Sequence, residues 1–278
     1  MNRLTLVPEG GLCNRIYAIT SAAAFAKKHN IRLEVIWFKD WGMGAGFYDL
    51  FTLSPLAENV EIRDAGFLDF FKYAKPIKSN FFLPALYQKW NFDAVYYWYK
   101  EQDSVEDWYF SHPDAHDFYL FHCQKFYDNT GFLNLLSPKD SIQRRIDEQR
   151  MRIAPHTAGI HIRRADLASV IEIQSPLSAF IEKMKQEIAT HPETDFYVAS
   201  DSPEEKDKLT ALFGKRIITV ENNLRRNTKD GIVDALIELH TLASTKKIFG
   251  SYYSSYSTLA AEIKGIPIEI IKIKQDNN

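Results

Sequence analysis

Short apolar runs alternate with longer amphipathic segments through the second half of the chain. The runs have strand length and end at turn residues; they lie at 157–162, 196–199, 216–220, 247–249 and 267–271. Two helices between them begin at Ser175-Pro176 and Ser202-Pro203, where an N-cap serine precedes a proline. In the second helix Glu205 completes a capping-box pattern and Gly214 marks the end. A third helix, about 231–243, has an apolar stripe at 3.6 spacing. Strands that alternate with helices predict a parallel sheet covered by helices, a Rossmann-like domain over about 153–265.

The first half of the chain begins with the same alternation. A strand at 4–7 precedes an alanine-rich helix at 14–29 and a second strand at 32–38. A strand at 118–122 and a helix from Ser137-Pro138 to about Met151 complete this half. We therefore predict an α/β protein with two Rossmann-like domains, residues 1–152 and 153–278, joined at 152–156.

Charge and cysteine content narrow the class of protein. Lys and Arg total 34 against 36 Asp and Glu, and this near balance argues against a nucleic-acid partner. Cys13 and Cys123 are far apart, which excludes a disulfide scaffold and a zinc ribbon. No apolar run approaches the roughly 18 residues of a membrane span, and the N-terminal run is too short for a signal peptide. We expect a soluble cytoplasmic enzyme without a transmembrane segment, and leave peripheral membrane contact open.

Aromatic residues concentrate in one segment: 18 of the 38 lie between positions 81 and 132. They form either an aromatic core or a wall on which sugar rings stack. In the same segment His112 and His116 are spaced as zinc ligands on a helix, but no pattern there predicts a helix, and we assign no metal. The glycines at 42–46 lack a βαβ context and indicate a flexible loop.

A strand that ends in two arginines is the sharpest chemical signal. The sequence at 161–166 is H-I-R-R-A-D, at the carboxyl end of a predicted parallel strand, where open α/β sheets bind ligands. Because side chains alternate along a strand, His161 and Arg163 share one face and Arg164 takes the other. We expect Arg163 to hold a phosphate through its guanidinium, and Arg164 to pair with a carboxylate such as Asp166.

Two further segments carry candidate binding groups. Residues 250–257, G-S-Y-Y-S-S-Y-S, lead into a helix, and such a start is either an anion site or a simple serine cap. Asp234 and Glu238 are four residues apart on the preceding helix, either on a solvated face or facing a ligand. The loop at 8–15, P-E-G-G-L-C-N-R, follows the first strand; its glycines allow close approach of a ligand, and Glu9 can reach it.

Together these segments resemble the GDP-fucose-dependent fucosyltransferases of the α1,6, nodulation-factor and protein O-fucosyl superfamily. The run at 161–166 is similar to their H-x-R-R-x-D motif, and 198–203 to V-A-T-D-x-P. Residues 238–243 and 250–256 are similar to D-x-x-x-L-S and T-x-S-S in the same order, and the loop at Gly10-Gly11 to the N-terminal glycine loop. The resemblance covers about 5–30 and 155–265.

The resemblance implies a GT-B architecture, two Rossmann-like domains facing each other across a cleft, and inverting, metal-independent transfer of L-fucose to a glycan acceptor. It needs no cofactor, and the chain contains no D-x-D triplet. Arg163 would bind the β-phosphate, and His161 with Glu238 the guanine nucleoside. The remaining donor-site candidates are Asp201, Ser254, Ser255, Tyr256, Arg164 and Asp166, with Gly10 and Gly11 in the facing loop.

The general base is implied by a branch of the same superfamily. The α1,6 members carry a lysine and a glutamate after the arginine motif, where this chain has Leu167 and Ile171. The order Pro8-Glu9-Gly10 instead resembles a protein O-fucosyl branch, which makes Glu9 the base, with Asn14 positioning the acceptor. Two alternatives stay open: a non-catalytic protein that binds a GDP-sugar or glycan, and a transferase that uses another GDP-sugar.

Overall fold

The structure is a computed structural model that describes residues 1–164, 172–221 and 225–273. The chain forms two compact units. Unit 1 consists of Met1–Lys139 and Arg225–Val233, and unit 2 of the described residues of Asp140–Leu224 and Asp234–Asn278. This division differs from the predicted one in two places: residues 140–152 belong to unit 2, and residues 225–233 belong to unit 1.

Unit 1 is built on a five-stranded parallel sheet in the order β4-β2-β1-β6-β5. Its strands are β1 (Arg3–Pro8), β2 (Arg32–Trp37), β4 (Val60–Asp64), β5 (Ala94–Tyr97) and β6 (Asp117–His122). Strands β3 (Phe51–Leu53) and β7 (Leu136–Pro138) form a separate antiparallel pair. The helices are α1 (Leu12–His29), α2 (Phe47–Leu50), α3 (Leu83–Asn91) and α4 (Val105–Phe110).

Small and apolar side chains explain why the first helix lies directly on this sheet. Helix α1 is buried over almost its whole length, from Leu12 to Ala26, and ends at Asn30 in the left-handed conformation. Much of the aromatic segment fills the core beside it, with Tyr96, Trp108 and Tyr119 all below 8% exposed. The core interpretation is therefore confirmed for these residues.

Unit 2 contains a second five-stranded parallel sheet, in the order β10-β9-β8-β11-β12. Its strands are β8 (Ala158–Ile162), β9 (Phe196–Ser200), β10 (Ile217–Ile218), β11 (Ile248–Ser251) and β12 (Ile268–Ile271). Its helices are α5 (Asp140–Arg150), α6 (Leu177–Thr190), α7 (Pro203–Phe213), α8 (Lys229–Leu242, which starts in unit 1) and α9 (Ser255–Lys264).

The predicted fold class is confirmed, because both units contain a parallel sheet with strands and helices in alternation. In unit 2 all five predicted strands are present. The predicted cap of α7 is half correct: the Ser202 hydroxyl accepts the Glu205 backbone N–H at 3.4 Å, but the Glu205 side chain turns to Arg164. No helix among residues 1–164, 172–221 and 225–273 is long and apolar enough to cross a membrane.

Candidate functional site

The carboxyl end of β8 lies in the middle of the second sheet. Strand β8 pairs with β9 on one side and with β11 on the other. His161 is the penultimate residue of β8, and Arg163 and Arg164 follow the strand directly. This is the edge at which parallel α/β sheets bind ligands, so the strand presents both arginines where a ligand would enter.

Arg163 lies along the loop that joins β11 to α9. Its backbone N–H donates to Ser251 Oγ at 3.0 Å, and its Nη1 donates to the Tyr253 carbonyl at 3.2 Å. Tyr253 has φ +56°, the left-handed region that non-glycine residues rarely adopt. Strained backbone of this kind concentrates at ligand sites, where the surrounding structure holds it. The arginine is thus fixed beside the residue that leads into the helix.

Helix α9 begins next to this arginine. Ser254 is its N-cap and Ser255 its first residue, and among the described residues the Ser254 side chain makes no capping hydrogen bond. The first backbone N–H groups of a helix are unpaired and carry partial positive charge, which favours an anion there. A guanidinium beside such a helix start has the donors that a diphosphate requires.

His161 is packed between the sheet and α9. It is 7% exposed, its Nδ1 lies 2.7 Å from Ser257 Oγ and 3.5 Å from Ser254 Oγ, and its ring stacks on Tyr256 at 4.7 Å. The helix comes this close because Gly250 has no side chain; a Cβ there would be 2.5 Å from the Ser257 Cβ. The Tyr256 hydroxyl donates to the Ala235 carbonyl at 2.7 Å. His161 therefore also holds α9 against the sheet, and Tyr256 joins α9 to α8.

Arg164 turns to the opposite side of the strand. Its Nε donates to Glu205 Oε1 at 2.7 Å, with both side chains close to 12% exposed, and its Nη2 donates to the Ser175 carbonyl. Its backbone N–H donates to Asp201 Oδ1 at 2.7 Å. The carboxylate partner in the described structure is thus Glu205; Asp166, Leu167 and Ile171 lie outside the described residues. Burial raises the pKa of Glu205, and Arg164 partly opposes this.

This pair predicts a large effect on stability. We expect Arg164→Ala to lower the free energy of unfolding by about 3–5 kcal/mol, because it leaves the Glu205 carboxylate buried without its cation. The loss should shrink as the pH falls, since a protonated Glu205 needs no cation. Urea unfolding of Arg164→Ala, Glu205→Gln and the double variant measures this. Additive losses in the double variant would show that the two side chains are not coupled.

Glu238 forms a second buried ion pair in unit 2. Its Oε1 accepts from Lys206 Nζ at 3.3 Å, and Nζ also donates to the Val220 carbonyl at 3.1 Å. The Lys206 and Glu238 side chains are 10% and 9% exposed. Glu238 borders a pocket of about 60 Å³, whose other lining residues are Arg145, Glu148, Gln149, Tyr197, Val220, Glu221, Asp234 and Ile237. Burial and the Glu238 charge raise the pKa of Tyr197, so its hydroxyl stays protonated. The lining of this pocket thus includes the Glu238 carboxylate and the Tyr197 phenol, and Lys206, which is not a lining residue, is bound to Glu238.

In unit 1, Glu9 lies at the carboxyl end of β1. Its backbone N–H donates to the His122 carbonyl of β6 at 2.9 Å, which continues the sheet by one residue. Its Oε2 accepts the Trp98 indole N–H at 3.0 Å, and its Oε1 lies 3.8 Å from Lys75 Nζ. The side chain is about a third exposed. Neighbouring side chains therefore hold the Glu9 carboxylate in place while solvent still reaches it. A group that accepts a proton from a substrate must be accessible in this way.

The glycine loop after Glu9 is fixed by a buried arginine. Gly10 has φ +87°, which glycine adopts without strain, and an added Cβ there would lie 3.0 Å from Asn14 Nδ2. Arg15 is 1% exposed; its Nε donates to the Gly10 carbonyl at 2.8 Å, and its Nη2 pairs with Asp40. Gly11 is the N-cap of α1, without a capping side chain. This part of unit 1 brings together Glu9, Gly10 and Asn14 of the predicted site.

Several residues that shape these sites were not predicted as such. The clearest are Lys206 beside Glu238, Glu205 beside Arg164, and Trp98 and Lys75 beside Glu9. Lys206 and Glu205 lie in a helix whose many charged residues are typical of a solvated helix. A 3.6-residue period nevertheless places both of them on the same side as the buried Leu209. No local signal joins Trp98 to Glu9, because their contact spans 89 positions.

Comparisons with solved structures show which proteins share this fold. No protein-family model matches the sequence, and no curated protein matches it. Among solved structures, NodZ α1,6-fucosyltransferase soaked with GDP-fucose is 15% identical with a TM-score of 0.65, over 96% of this chain and 94% of NodZ. POFUT1 in complex with GDP is 11% identical with a TM-score of 0.60, over 98% and 99% of the two chains. An Arabidopsis thaliana FUT1 mutant in complex with GDP is 15% identical with a TM-score of 0.63, over 99% of this chain and 71% of FUT1. The chain therefore has the fold of these fucosyltransferases.

Proposed function

We propose that the chain is an inverting, metal-independent glycosyltransferase that moves L-fucose from GDP-fucose to a hydroxyl of a glycan acceptor. The observation that carries the proposal is Arg163 beside the start of α9, at the carboxyl edge of a parallel sheet. It is supported by the fold shared with NodZ, which was soaked with GDP-fucose, and with POFUT1, which was solved with GDP.

Arg163 and α9 would stabilise the leaving group. Breaking the bond between fucose and phosphate builds positive charge at the anomeric carbon and negative charge on the β-phosphate. A guanidinium and helix N–H groups already fixed in place stabilise that charge without reorganisation. Because these donors supply positive charge at the diphosphate, the proposal requires no Mg²⁺.

Glu9 would act as the general base. In an inverting displacement the acceptor hydroxyl attacks the anomeric carbon from the side opposite the diphosphate, and a carboxylate takes its proton as the new bond forms. Trp98 and Lys75 hold the two oxygens of Glu9 and thereby orient it. Asn14 lies over the neighbouring Gly10 and would help to position the acceptor.

The pocket at Glu238 would read the guanine base. The guanine edge carries an acceptor oxygen at C6 beside donor N–H groups at N1 and N2. A carboxylate accepts from the two N–H groups, and an ammonium group donates to the oxygen. Adenine has the opposite pattern, with a donor amino group at C6 and an acceptor nitrogen at N1. The Glu238 and Lys206 pair contains both groups. Asp201 and Ser254 would complete the nucleotide site.

This assignment predicts a nucleotide preference that Glu238 controls. We expect Glu238→Gln to weaken GDP binding by about 10- to 100-fold, the effect of losing hydrogen bonds to a charged group. Binding of ADP should change little, so the preference for GDP should fall. Titration calorimetry of both nucleotides measures this, with exposed Glu148→Gln at the same pocket as the matched control. An unchanged ratio of GDP to ADP affinity would refute the assignment.

The proposed reaction is tested by turnover. The protein is incubated with GDP-fucose or GDP-mannose and a panel of glycan acceptors, with and without EDTA. We expect acceptor-dependent release of GDP from GDP-fucose, a deoxyhexose added to the acceptor, and no inhibition by EDTA. GDP binding without turnover, unchanged by Glu9→Gln, would instead identify a binding protein. Inhibition by EDTA that Mn²⁺ reverses would contradict the metal-independent reaction.

A further inference from the structure

Unit 1 exposes several large apolar side chains on and next to α3, which we call the α3 surface. On α3 and the loop before it, Trp90 is 79% exposed, Phe81 75%, Phe82 56% and Leu86 51%. The short helix Phe67–Phe71 packs against α3 and adds Phe67 at 80% exposure. Leu68, Ile77 and Leu83 are also exposed. Single exposed apolar side chains are ordinary, but a cluster of this kind marks an interaction surface.

Helix α3 exposes large apolar side chains, which a surface helix normally turns toward the core. Leu83, Leu86 and Trp90 lie at i, i+3 and i+7 and face solvent, while the polar Gln88 is 1% exposed. The Gln88 amide donates to the carbonyls of Lys72 and Ala74 at 3.1 and 3.2 Å. These bonds hold the side of the helix that carries Gln88 inward, together with Pro84, so Leu83, Leu86 and Trp90 face solvent.

The backbone of the loop before α3 keeps the Phe81 and Phe82 rings exposed. Phe81 and Phe82 have φ +54° and +56°, two neighbouring non-glycine residues in the left-handed region. The buried Asn80 holds the turn: its Oδ1 accepts the Ile77 N–H at 2.9 Å and its Nδ2 donates to the Lys75 carbonyl at 2.8 Å. Strained backbone that local hydrogen bonds hold in place indicates a function for the exposed rings.

The charge around this surface is mainly positive. Residues 70–92 contain four lysines, Lys72, Lys75, Lys78 and Lys89, and no Asp or Glu, in a chain whose net charge is −2. Asp69 and Asp93 flank this run, and Asp69 is paired with Arg63 at 2.6 Å. Lys78 and Lys89 are exposed, and Lys72 Nζ lies 5.6 Å from the centre of the Tyr87 ring on α3. The cations therefore border the apolar stripe.

We propose that the α3 surface binds the face of a membrane that contains anionic phospholipid. Aromatic and leucine side chains enter the boundary between head groups and acyl chains, and lysines around them pair with anionic head groups. A second copy of this chain fits less well, because a two-fold interface would bring the lysines of one surface against those of the other. The inference does not depend on the proposed reaction, since membrane binding is measured without nucleotide or acceptor.

The test is sedimentation of the full chain with phosphatidylcholine vesicles, with and without phosphatidylglycerol. We expect binding to the anionic vesicles at least about tenfold tighter, since one lysine near the surface contributes roughly fivefold. The apolar variant is Leu86→Ser with Trp90→Ser, and the charge variant is Lys78→Glu with Lys89→Glu. Each should weaken binding by about tenfold or more. The matched control in unit 2 changes exposed residues of the same types: Leu212→Ser with Lys185→Glu and Lys215→Glu.

Each outcome decides the proposal. Loss of binding in the two α3 variants but not in the control, with unchanged thermal unfolding, supports it. A blue shift of tryptophan emission on anionic vesicles that Trp90→Phe removes would support it independently. Failure of the unaltered chain to bind, or equal binding by the apolar variant, overturns it. Self-association that the apolar variant abolishes, without vesicle binding, would assign the surface to a second copy instead.

Discussion

Arg163→Ala is expected to reduce fucosyl transfer by about 100- to 1,000-fold, the loss typical of removing one preorganised donor to a developing anion. Arg163 is held against the Tyr253 carbonyl beside the start of α9, and the proposal assigns it to the β-phosphate. The variant should therefore bind GDP more weakly and bind GMP as before, because GMP has no β-phosphate. Turnover assays with calorimetry of both nucleotides measure this.

A conservative variant serves as the control. Arg163→Lys keeps the charge but lacks the planar fork of donors, and we expect an intermediate rate. Circular dichroism and urea unfolding establish that the variants fold, which matters because the backbone of Arg163 also bonds to Ser251. Full activity in Arg163→Ala, or an equal loss of GDP and GMP binding, would contradict the assignment to the β-phosphate.

Glu9→Gln is expected to lower the turnover rate by about 100- to 10,000-fold with little change in GDP affinity, since a general base contributes to the transition state by this factor. The amide keeps the size of the side chain and can still accept the Trp98 N–H. Rate measurements at saturating donor and acceptor, beside GDP titration, separate chemistry from binding.

The neighbours of Glu9 provide the comparison. Trp98→Phe removes the hydrogen bond to Oε2 but keeps the carboxylate, so we expect a smaller loss of rate than for Glu9→Gln. If Glu9→Gln retained full activity while Trp98→Phe lost it, the Trp98 ring, and not the Glu9 carboxylate, would be the group that the reaction needs.

The fold of unit 2 could be predicted closely because its signals are local. Apolar runs of strand length, Ser-Pro helix starts and Gly214 each depend on a few adjacent residues. In unit 1 the strands β4 and β5 were not predicted. The sequence V-E-I-R-D of β4 is largely polar, since only Ile62 is fully buried, and β5 begins inside the aromatic segment.

The candidate site could be predicted only where neighbours along the chain carry it. Alternation along β8 separates Arg163 from Arg164, and both lie as that alternation requires. The partner of Arg164 could not be predicted, because Glu205 comes from α7 and is 41 positions away. The same holds for Trp98 beside Glu9 and for Lys206 beside Glu238. Such contacts follow from how the strands are ordered in the sheets, which the local pattern does not contain.

The most direct measurement of the central claim is a crystal structure of the protein with GDP bound. The account predicts the β-phosphate within hydrogen-bond distance of the Arg163 guanidinium and of the backbone N–H groups at Ser254 and Ser255, with guanine beside Glu238. A nucleotide bound elsewhere, or one whose phosphates do not contact Arg163, would contradict it.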